Sequence, residues 1–351
     1  MRIALAHPYS WPGVLRGGER ILADLDHVLS TAGHEVLVVT GEARPLHRRL
    51  ARRGLTPMDT FGVSAWAPLA RARPDVVHAF VPSAALAGRA AGLPVVHTCL
   101  GLPRADHFAG RPVQRRLFDA AVRRSTTVTA FSRAAAEAVR GLVQRDVVEL
   151  APGVRLDRFP VDERPRTDPP RLLFAADASD PRKGLPWLLT AFDRLLDLHP
   201  DARLQLGCPG DPAPALDQAT DRARAATDVL GPSLADVPAR YRAATVTVLP
   251  SRYEAFGLVL VESLASGTPA VALAEGGPAE ILDDPAVGRT AAPRDLDGLV
   301  RALHEAIGLA RDPATPQRCA AAARRYDWDT VTGPAHEAVY ARTVRAARRR
   351  R

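Results

Sequence analysis

Along the chain, short runs of consecutive apolar residues alternate with longer stretches in which apolar residues return every three or four positions. The first pattern suits strands buried on both faces; the second suits the helices that cover them. Residues 2–6, 35–40, 76–80, 95–98, 127–131 and 147–150 read as strands, with helical patterns between several of them, notably at 19–32 and 134–142. A polar, proline-rich stretch, Val161-Asp162-Glu163-Arg164-Pro165-Arg166-Thr167-Asp168-Pro169-Pro170, then interrupts the pattern. Beyond it the alternation restarts, with strands at 171–175, 202–207, 245–250 and 270–274 and helices at 186–198, 257–266 and 296–310. Repeated βα units predict a helix-covered parallel sheet, and the restart predicts a second one, with the boundary near residues 160–170.

The length agrees with that division, because 351 residues exceed the ~250–300 at which one core usually stops growing. At 46% hydrophobic and 25% charged residues the composition is that of a soluble globular protein, and no apolar run approaches the ~20 residues of a membrane span. The opening Met1-Arg2-Ile3-Ala4-Leu5-Ala6 is too short for a signal peptide and reads as the first strand. Cys99, Cys208 and Cys319 lie far apart without CxxC spacing, which suits a reducing cytoplasm and speaks against a zinc site. The basic tail, 348–351, reads as disordered.

The formal charge of +8 is unevenly spread. Up to Pro165 there are 23 arginines against 15 acidic residues, whereas beyond it 24 basic residues face 24 acidic ones. Much of the excess lies at 44–53 and 111–124, both with the look of basic amphipathic helices. Each is either a solvated helix face in an arginine-rich chain or a surface that attracts an anionic acceptor or a membrane. Of the 47 basic residues 46 are arginine, and the one lysine is Lys183. It marks either a position that needs a compact ammonium rather than a planar fork, or a chance survivor.

In parallel α/β sheets ligands bind beyond the carboxyl ends of the strands, where helix N-termini favour phosphate. Three βα loops are informative for this reason. The first contains Arg16-Gly17-Gly18-Glu19, whose glycines make either a tight turn or a close approach to a ligand. The second contains Asp180-Pro181-Arg182-Lys183-Gly184, with two cations just before a helix, an arrangement suited to a diphosphate. In the third, Glu254 precedes a helix whose amides begin around Phe256 to Leu258, and Glu262 sits about two turns in. The two carboxylates can reach opposite ends of one extended ligand such as a nucleotide-sugar, through charge-assisted bonds from its hydroxyls.

The run from Arg240 to Ala272, which includes Ser251-Arg252-Tyr253-Glu254-Ala255-Phe256-Gly257-Leu258-Val259-Leu260-Val261-Glu262, resembles the E-x7-E signature of retaining GT-B glycosyltransferases of the family 4 type. Gly17-Gly18-Glu19 resembles that family's N-terminal glycine loop, and His97 its histidine after the fourth strand. Pro152-Gly153-Val154 resembles the turn before the linker, and Pro181-Arg182-Lys183-Gly184 the diphosphate-binding segment. Gly276-Gly277-Pro278-Ala279-Glu280 and Tyr326-Asp327-Trp328 match later landmarks.

The resemblance implies an α/β GT-B fold of two facing Rossmann-like parallel-sheet domains with a cleft between them. The expected division is 1–165 for acceptor binding, 166–325 for the nucleotide-sugar donor, a helical segment 326–345 crossing back, and the tail 346–351. It further implies retention of configuration with no metal and no cofactor beyond the nucleotide-diphosphate sugar. Glu254 would hold sugar hydroxyls, Glu262 the ribose, and Lys183 with Arg182 the leaving diphosphate. Ala255, Phe256, Gly257 and Leu258 would offer amides to the donor, His97 would sit by the transferred sugar, and Gly17 and Gly18 would cover the diphosphate.

One departure stands out: where family members often carry an arginine, this chain has Asp177, which would repel a diphosphate unless Arg182 takes over or the loop is displaced. Two DxD-like triplets, Asp24-Leu25-Asp26 and Asp295-Leu296-Asp297, fall in helical stretches and read as solvated faces. The implied partners are a nucleotide-sugar donor and an anionic or membrane-associated acceptor in envelope glycan or secondary-metabolite synthesis, not a nucleic acid. The implied location is the cytoplasm, including the inner face of the membrane. A sugar-nucleotide epimerase of the same architecture and a non-catalytic homologue acting as a partner subunit are the alternatives.

Overall fold

The computed structural model of the chain describes residues 1–10, 13, 17–41, 54–162, 169–207, 209–232 and 237–349. The basic run 44–53, Arg16, most of the linker (163–168), Cys208 and the last two arginines lie outside the described residues. Contacts divide the chain into two compact units, Met1–Gly153 with Trp328–Arg351, and Val154–Asp327.

The first unit is built on six parallel strands: β1 Arg2–Ala6, β2 Glu35–Val39, β3 Val76–Ala79, β4 Val95–Cys99, β5 Thr127–Ala130 and β6 Val148–Glu149, in the order β2-β1-β3-β4-β5-β6. The second repeats the plan with β7 Arg171–Phe174, β8 Arg203–Leu206, β9 Thr227–Val229, β10 Val246–Leu249, β11 Ala270–Leu273 and β12 Gly288–Ala291, in the order β12-β11-β10-β7-β8-β9. Central strands such as Val246-Thr247-Val248-Leu249 are buried at every position, as a sheet covered on both faces requires. Within each unit the chain passes to one side of its first strand and then returns to the other. The reversals fall between β1 and β3 and between β7 and β10. A crevice opens at such a reversal because the loops on either side diverge.

Two strands escape the apolar-run criterion, β9 (Thr227-Asp228-Val229) and β12 (Gly288-Arg289-Thr290-Ala291). Both are sheet edges with one flank in water, so their pattern carries charges instead of a continuous apolar run. The helix Pro82–Ala90 also escapes, because its buried face is Ser83, Ala84, Ala85, Ala87 and Gly88, too small to contrast with its surroundings. The basic stretch at 111–124 forms the helix Pro112–Arg124, with Phe118, Ala121 and Val122 turned inward. Asp24 and Asp26 lie within the helix Gly17–Thr31, whereas Asp295 caps the helix Leu296–Ala310 through the Gly298 amide and Asp297 pairs with Arg194 at 2.6 Å. No helix among the described residues is long and apolar enough to cross a membrane.

The C-terminal segment completes the first unit. Trp328 is fully buried and packs so closely on Gly153 that a Cβ there would lie 2.5 Å from the indole Cδ2 and 2.3 Å from Thr332 Oγ1. From the helix Gly333–Arg348, the Tyr340 hydroxyl meets His78 Nδ1 at 2.8 Å, while His78 Nε2 lies 2.6 Å from Thr98 Oγ1. Thr98 continues to Thr129 at 2.6 Å, and His336 Nδ1 donates to Thr332 O at 2.7 Å. These imidazoles are in apolar surroundings, where the charged form is disfavoured. Burial pushes His336 down to about 4, and burial, with the neighbouring His336 and His97, holds His78 well below its ordinary value.

A pH dependence follows with a definite sign. In the unfolded chain these histidines take up protons near pH 6.5, while in the folded unit burial keeps His336 neutral to about 4, as it does His97 on β4, and holds His78 well below its ordinary value. Stability is therefore fully present above about pH 6.5 and falls as the solution is acidified towards pH 4, by on the order of 1.4 kcal/mol per pH unit for each such histidine. Thermal melts between pH 7.5 and 4.5 should show Tm dropping through this window, with a shallower slope in His336→Asn. A Tm independent of pH would mean that the cluster is hydrated.

Candidate active site

In the second unit the three loops that follow β7, β10 and β11 rise from adjacent strands, so chain order alone brings them side by side. The loop after β7 ends in the short turn Pro181–Lys183, which Asp180 opens by accepting the Arg182 amide at 3.0 Å. Gly184 closes that turn with φ 73° and at once begins the helix Leu185–Leu195. A Cβ on Gly184 would stand 2.6 Å from Pro250 O, so glycine there is what lets this turn lie against the end of β10. The Arg252 amide donates to Arg182 O at 2.8 Å and ties the two loops together.

The outcome is an ion pair between Lys183 Nζ and Glu254 Oε2 at the reversal between β7 and β10, with both side chains about four-fifths buried. Arg182 is placed differently. Its guanidinium is 59% exposed and clamps Asp180, at 2.6 Å from Nη2 and 3.2 Å from Nε. Burial pushes the Asp180 carboxyl up, but the hydrogen bonds and charge of Arg182, with the charge of Lys183, bring it below the usual carboxylate range. Asp177, at the position of the expected arginine, turns its Oδ1 to the Ser179 amide at 3.0 Å. It braces its own loop, against which Gly210 packs.

Glu254 is anchored from below, since its carbonyl accepts the Gly277 amide at 3.0 Å. A Cβ on Gly277 would lie 2.5 Å from Phe256 Cα, so the loop after β11 presses on the backbone of Ala255 and Phe256. Gly257, at φ 108°, then starts the helix Leu258–Ala265 and accepts the Leu260 amide at 2.9 Å, and the amides before Leu260 open the helix. Glu262 lies inside this helix at 1% exposure, not on a solvated face, and its Oε2 accepts the Tyr241 hydroxyl at 2.7 Å. Tyr241, on the helix Val237–Ala243, is a positioning residue that the sequence reading passed over. Its carbonyl in turn accepts Thr268 Oγ1 at 2.7 Å. The only textual signal was a tyrosine near the start of the E-x7-E run. Arg252 was likewise unassigned: its guanidinium lies over the Tyr253 ring at 4.6 Å, with Nε 3.6 Å from Glu275 Oε2.

In the first unit, His97 sits on β4 at 1% exposure. Its Nδ1–H donates to Ala79 O at 3.1 Å, which leaves Nε2 as the lone-pair nitrogen, and Nε2 finds no hydrogen-bond partner among the described residues. Burial lowers its pKa to about 4, against a weaker upward pull from the Ala79 bond, so it is neutral at pH 7. Gly17 begins the first helix, and Gly18 faces Leu100 just past the end of β4, 3.5 Å from where its Cβ would be. His7, at the end of β1, is also buried and was not anticipated. Its pKa is lowered by burial, with the Tyr9 carbonyl and the Glu19 carboxylate opposing that shift. Among the described residues no group of three or more His, Cys, Asp or Glu side chains is arranged to hold a metal ion.

Comparison with known proteins adds to this geometry. Residues 15–158 match the family described as Glycosyltransferase Family 4, and residues 169–308 that described as Glycosyl transferases group 1. A phosphatidyl-myo-inositol mannosyltransferase of Mycobacterium tuberculosis is 30% identical over 377 residues, covering 94% of this chain and 94% of the relative. The chain belongs to the family 4 glycosyltransferases.

A glycogen synthase of Mycobacterium tuberculosis is 35% identical to this glycosyltransferase over 195 residues, 53% of the chain, and the match spans only 46% of that synthase. The Anabaena protein HepE, solved in complex with UDP-glucose, superimposes with a TM-score of 0.75 at 19% identity, over 97% of this chain and 100% of HepE. The glycosyltransferase thus has the GT-B fold, built of two Rossmann-like α/β units.

Tyr241 gives a direct test of how Glu262 is held. Tyr241→Phe removes a hydrogen bond to a buried carboxylate, which typically costs about 1.5–3 kcal/mol. The second unit should melt measurably earlier in calorimetry. A variant that melts like the wild type would mean that Glu262 does not rely on the phenol.

Proposed function

We propose that this glycosyltransferase moves a sugar from a nucleoside diphosphate sugar to an acceptor hydroxyl, with retention of anomeric configuration and without a required metal. The observation that carries this reading is the meeting of Lys183 and Glu254 at the strand-order reversal, beside the first amides of the helix Leu258–Ala265. As the bond from the sugar C1 to the diphosphate oxygen breaks, negative charge gathers on the leaving group. A fixed ammonium and amides that bind it more tightly then than in the ground state lower the barrier. The acceptor oxygen bonds to C1 on the face the diphosphate leaves, and the acceptor proton passes to the departing phosphate oxygen.

In this reading Lys183 neutralises the diphosphate, Glu254 accepts hydrogen bonds from sugar hydroxyls, and Ala255, Phe256, Gly257 and Leu258 present amides. Glu262, steadied by Tyr241, takes the ribose. Arg182, held outward by Asp180, has a lesser part. In the first unit the neutral His97 offers Nε2 as an acceptor for a sugar hydroxyl. The excess of arginine up to Pro165 supports an anionic acceptor or an anionic membrane surface.

Thermal shift with UDP-, GDP- and dTDP-sugars tests the donor class, since a ligand that binds only the folded state raises Tm according to its concentration over Kd. No rise with any of them would sink the reading. Kinetics then test the ammonium: Lys183→Arg should impair turnover and Lys183→Ala more so. Loss of one contact made mainly in the transition state typically costs on the order of 30- to 1,000-fold in kcat. Wild-type kinetics in Lys183→Arg would show that the guanidinium serves equally well.

A further inference from the structure

On the loops after β7, β10 and β11, Asp177 turns to a backbone amide, while three other acids each have a cation. Asp180 holds Arg182, Glu275 lies 3.6 Å from Arg252, and Glu254 holds Lys183. The last pair differs from the others in its setting. Both partners are about four-fifths buried, and both are fixed through their backbones, Lys183 by its amide on Asp180 O at 2.9 Å and Glu254 by the Gly277 amide at 3.0 Å. A ligand that takes the ammonium must do so at the carboxylate's expense, because a buried charge that loses its partner is left costly.

Two ligands would meet this pair with opposite results. A free nucleoside diphosphate draws Lys183 to its phosphates and leaves Glu254 without a counter-ion beside a second anion. A nucleotide-sugar draws Lys183 in the same way, but its hydroxyls donate to Glu254 and replace what the carboxylate has lost. We propose that the Lys183–Glu254 pair is a selectivity device by which the site prefers an intact nucleotide-sugar to the free nucleoside diphosphate. The proposal rests on the donor assignment made above. It gives Glu254 a second role besides holding the sugar, as a competitor of the spent diphosphate for the same ammonium. Once the sugar has been transferred, the carboxylate reclaims Lys183 and weakens the hold on the product.

Calorimetric titration of UDP, GDP, UDP-glucose and GDP-mannose into the full chain and into Glu254→Gln separates these effects. The isosteric amide removes the competing charge, so the free diphosphate that binds should bind about five- to tenfold tighter, the range expected when one partly buried ion pair no longer opposes it. The matching nucleotide-sugar should bind no tighter, or more weakly, so its preference over the free diphosphate shrinks. Glu254→Met, also uncharged and of similar length, repeats the test without an amide, and unliganded melts of both variants check that they fold. Unchanged or weaker diphosphate binding in both variants would overturn the device while leaving the donor site standing. The same factor of tightening for diphosphate and nucleotide-sugar would overturn it too. No heat from any of the four ligands, together with no rise in Tm from any UDP-, GDP- or dTDP-sugar, would overturn the donor assignment and the device together.

Discussion

A parallel sheet that reverses its strand order can bring loops together that are far apart in sequence, and here it brings Lys183 against Glu254, 71 residues further on. Everything around the pair serves that approach. Gly184 permits the turn after β7 to touch Pro250, the Arg252 amide binds the Arg182 carbonyl, and Gly277 supports the Glu254 backbone from the next loop. Each is a backbone contact, and two of them depend on the absence of a side chain at Gly184 and Gly277. Two opposite charges placed so close with so little water set the terms on which any third charge can enter.

Much of the architecture was readable because burial on both faces leaves a plain mark. Ile3-Ala4-Leu5-Ala6 and Ala270-Val271-Ala272-Leu273 are apolar throughout because no position in a central parallel strand meets water. The edge strands β9 and β12 were not readable for the complementary reason: Asp228 and Arg289 reach sideways to Arg203 and Glu305, and a half-solvated strand resembles a loop in one dimension. The alanine-rich helix Pro82–Ala90 was obscure because packing there depends on smallness more than on hydrophobic contrast.

The site was legible in part. The lone lysine and the spacing of Glu254 and Glu262 pointed to two loops that the structure brings into contact through Lys183 and Glu254, since charges at the ends of buried strands are conspicuous against their surroundings. What they touch was not legible. That Arg182 turns to Asp180 and not to Glu254, that Asp177 folds onto the Ser179 amide, and that Tyr241 supports Glu262 all depend on loop geometry. Local hydrogen bonds of this kind set which charge stays available and which is already engaged.

The first unit is discontinuous: its sheet lies before the second unit in the chain, and its helix Gly333–Arg348 lies after it. The bond between His78 and Tyr340 spans 262 residues. On a ribosome the second unit emerges whole while the first still lacks Trp328, His336 and Tyr340. A growing chain therefore carries a sheet whose buried histidine row is open on one side until residues 328–340 have been made, and folding of the second unit, which pairs Val154 with Asp327, shortens the loop that must then close. Translation thus imposes an order of assembly in which the first unit can be completed only after the second has been made.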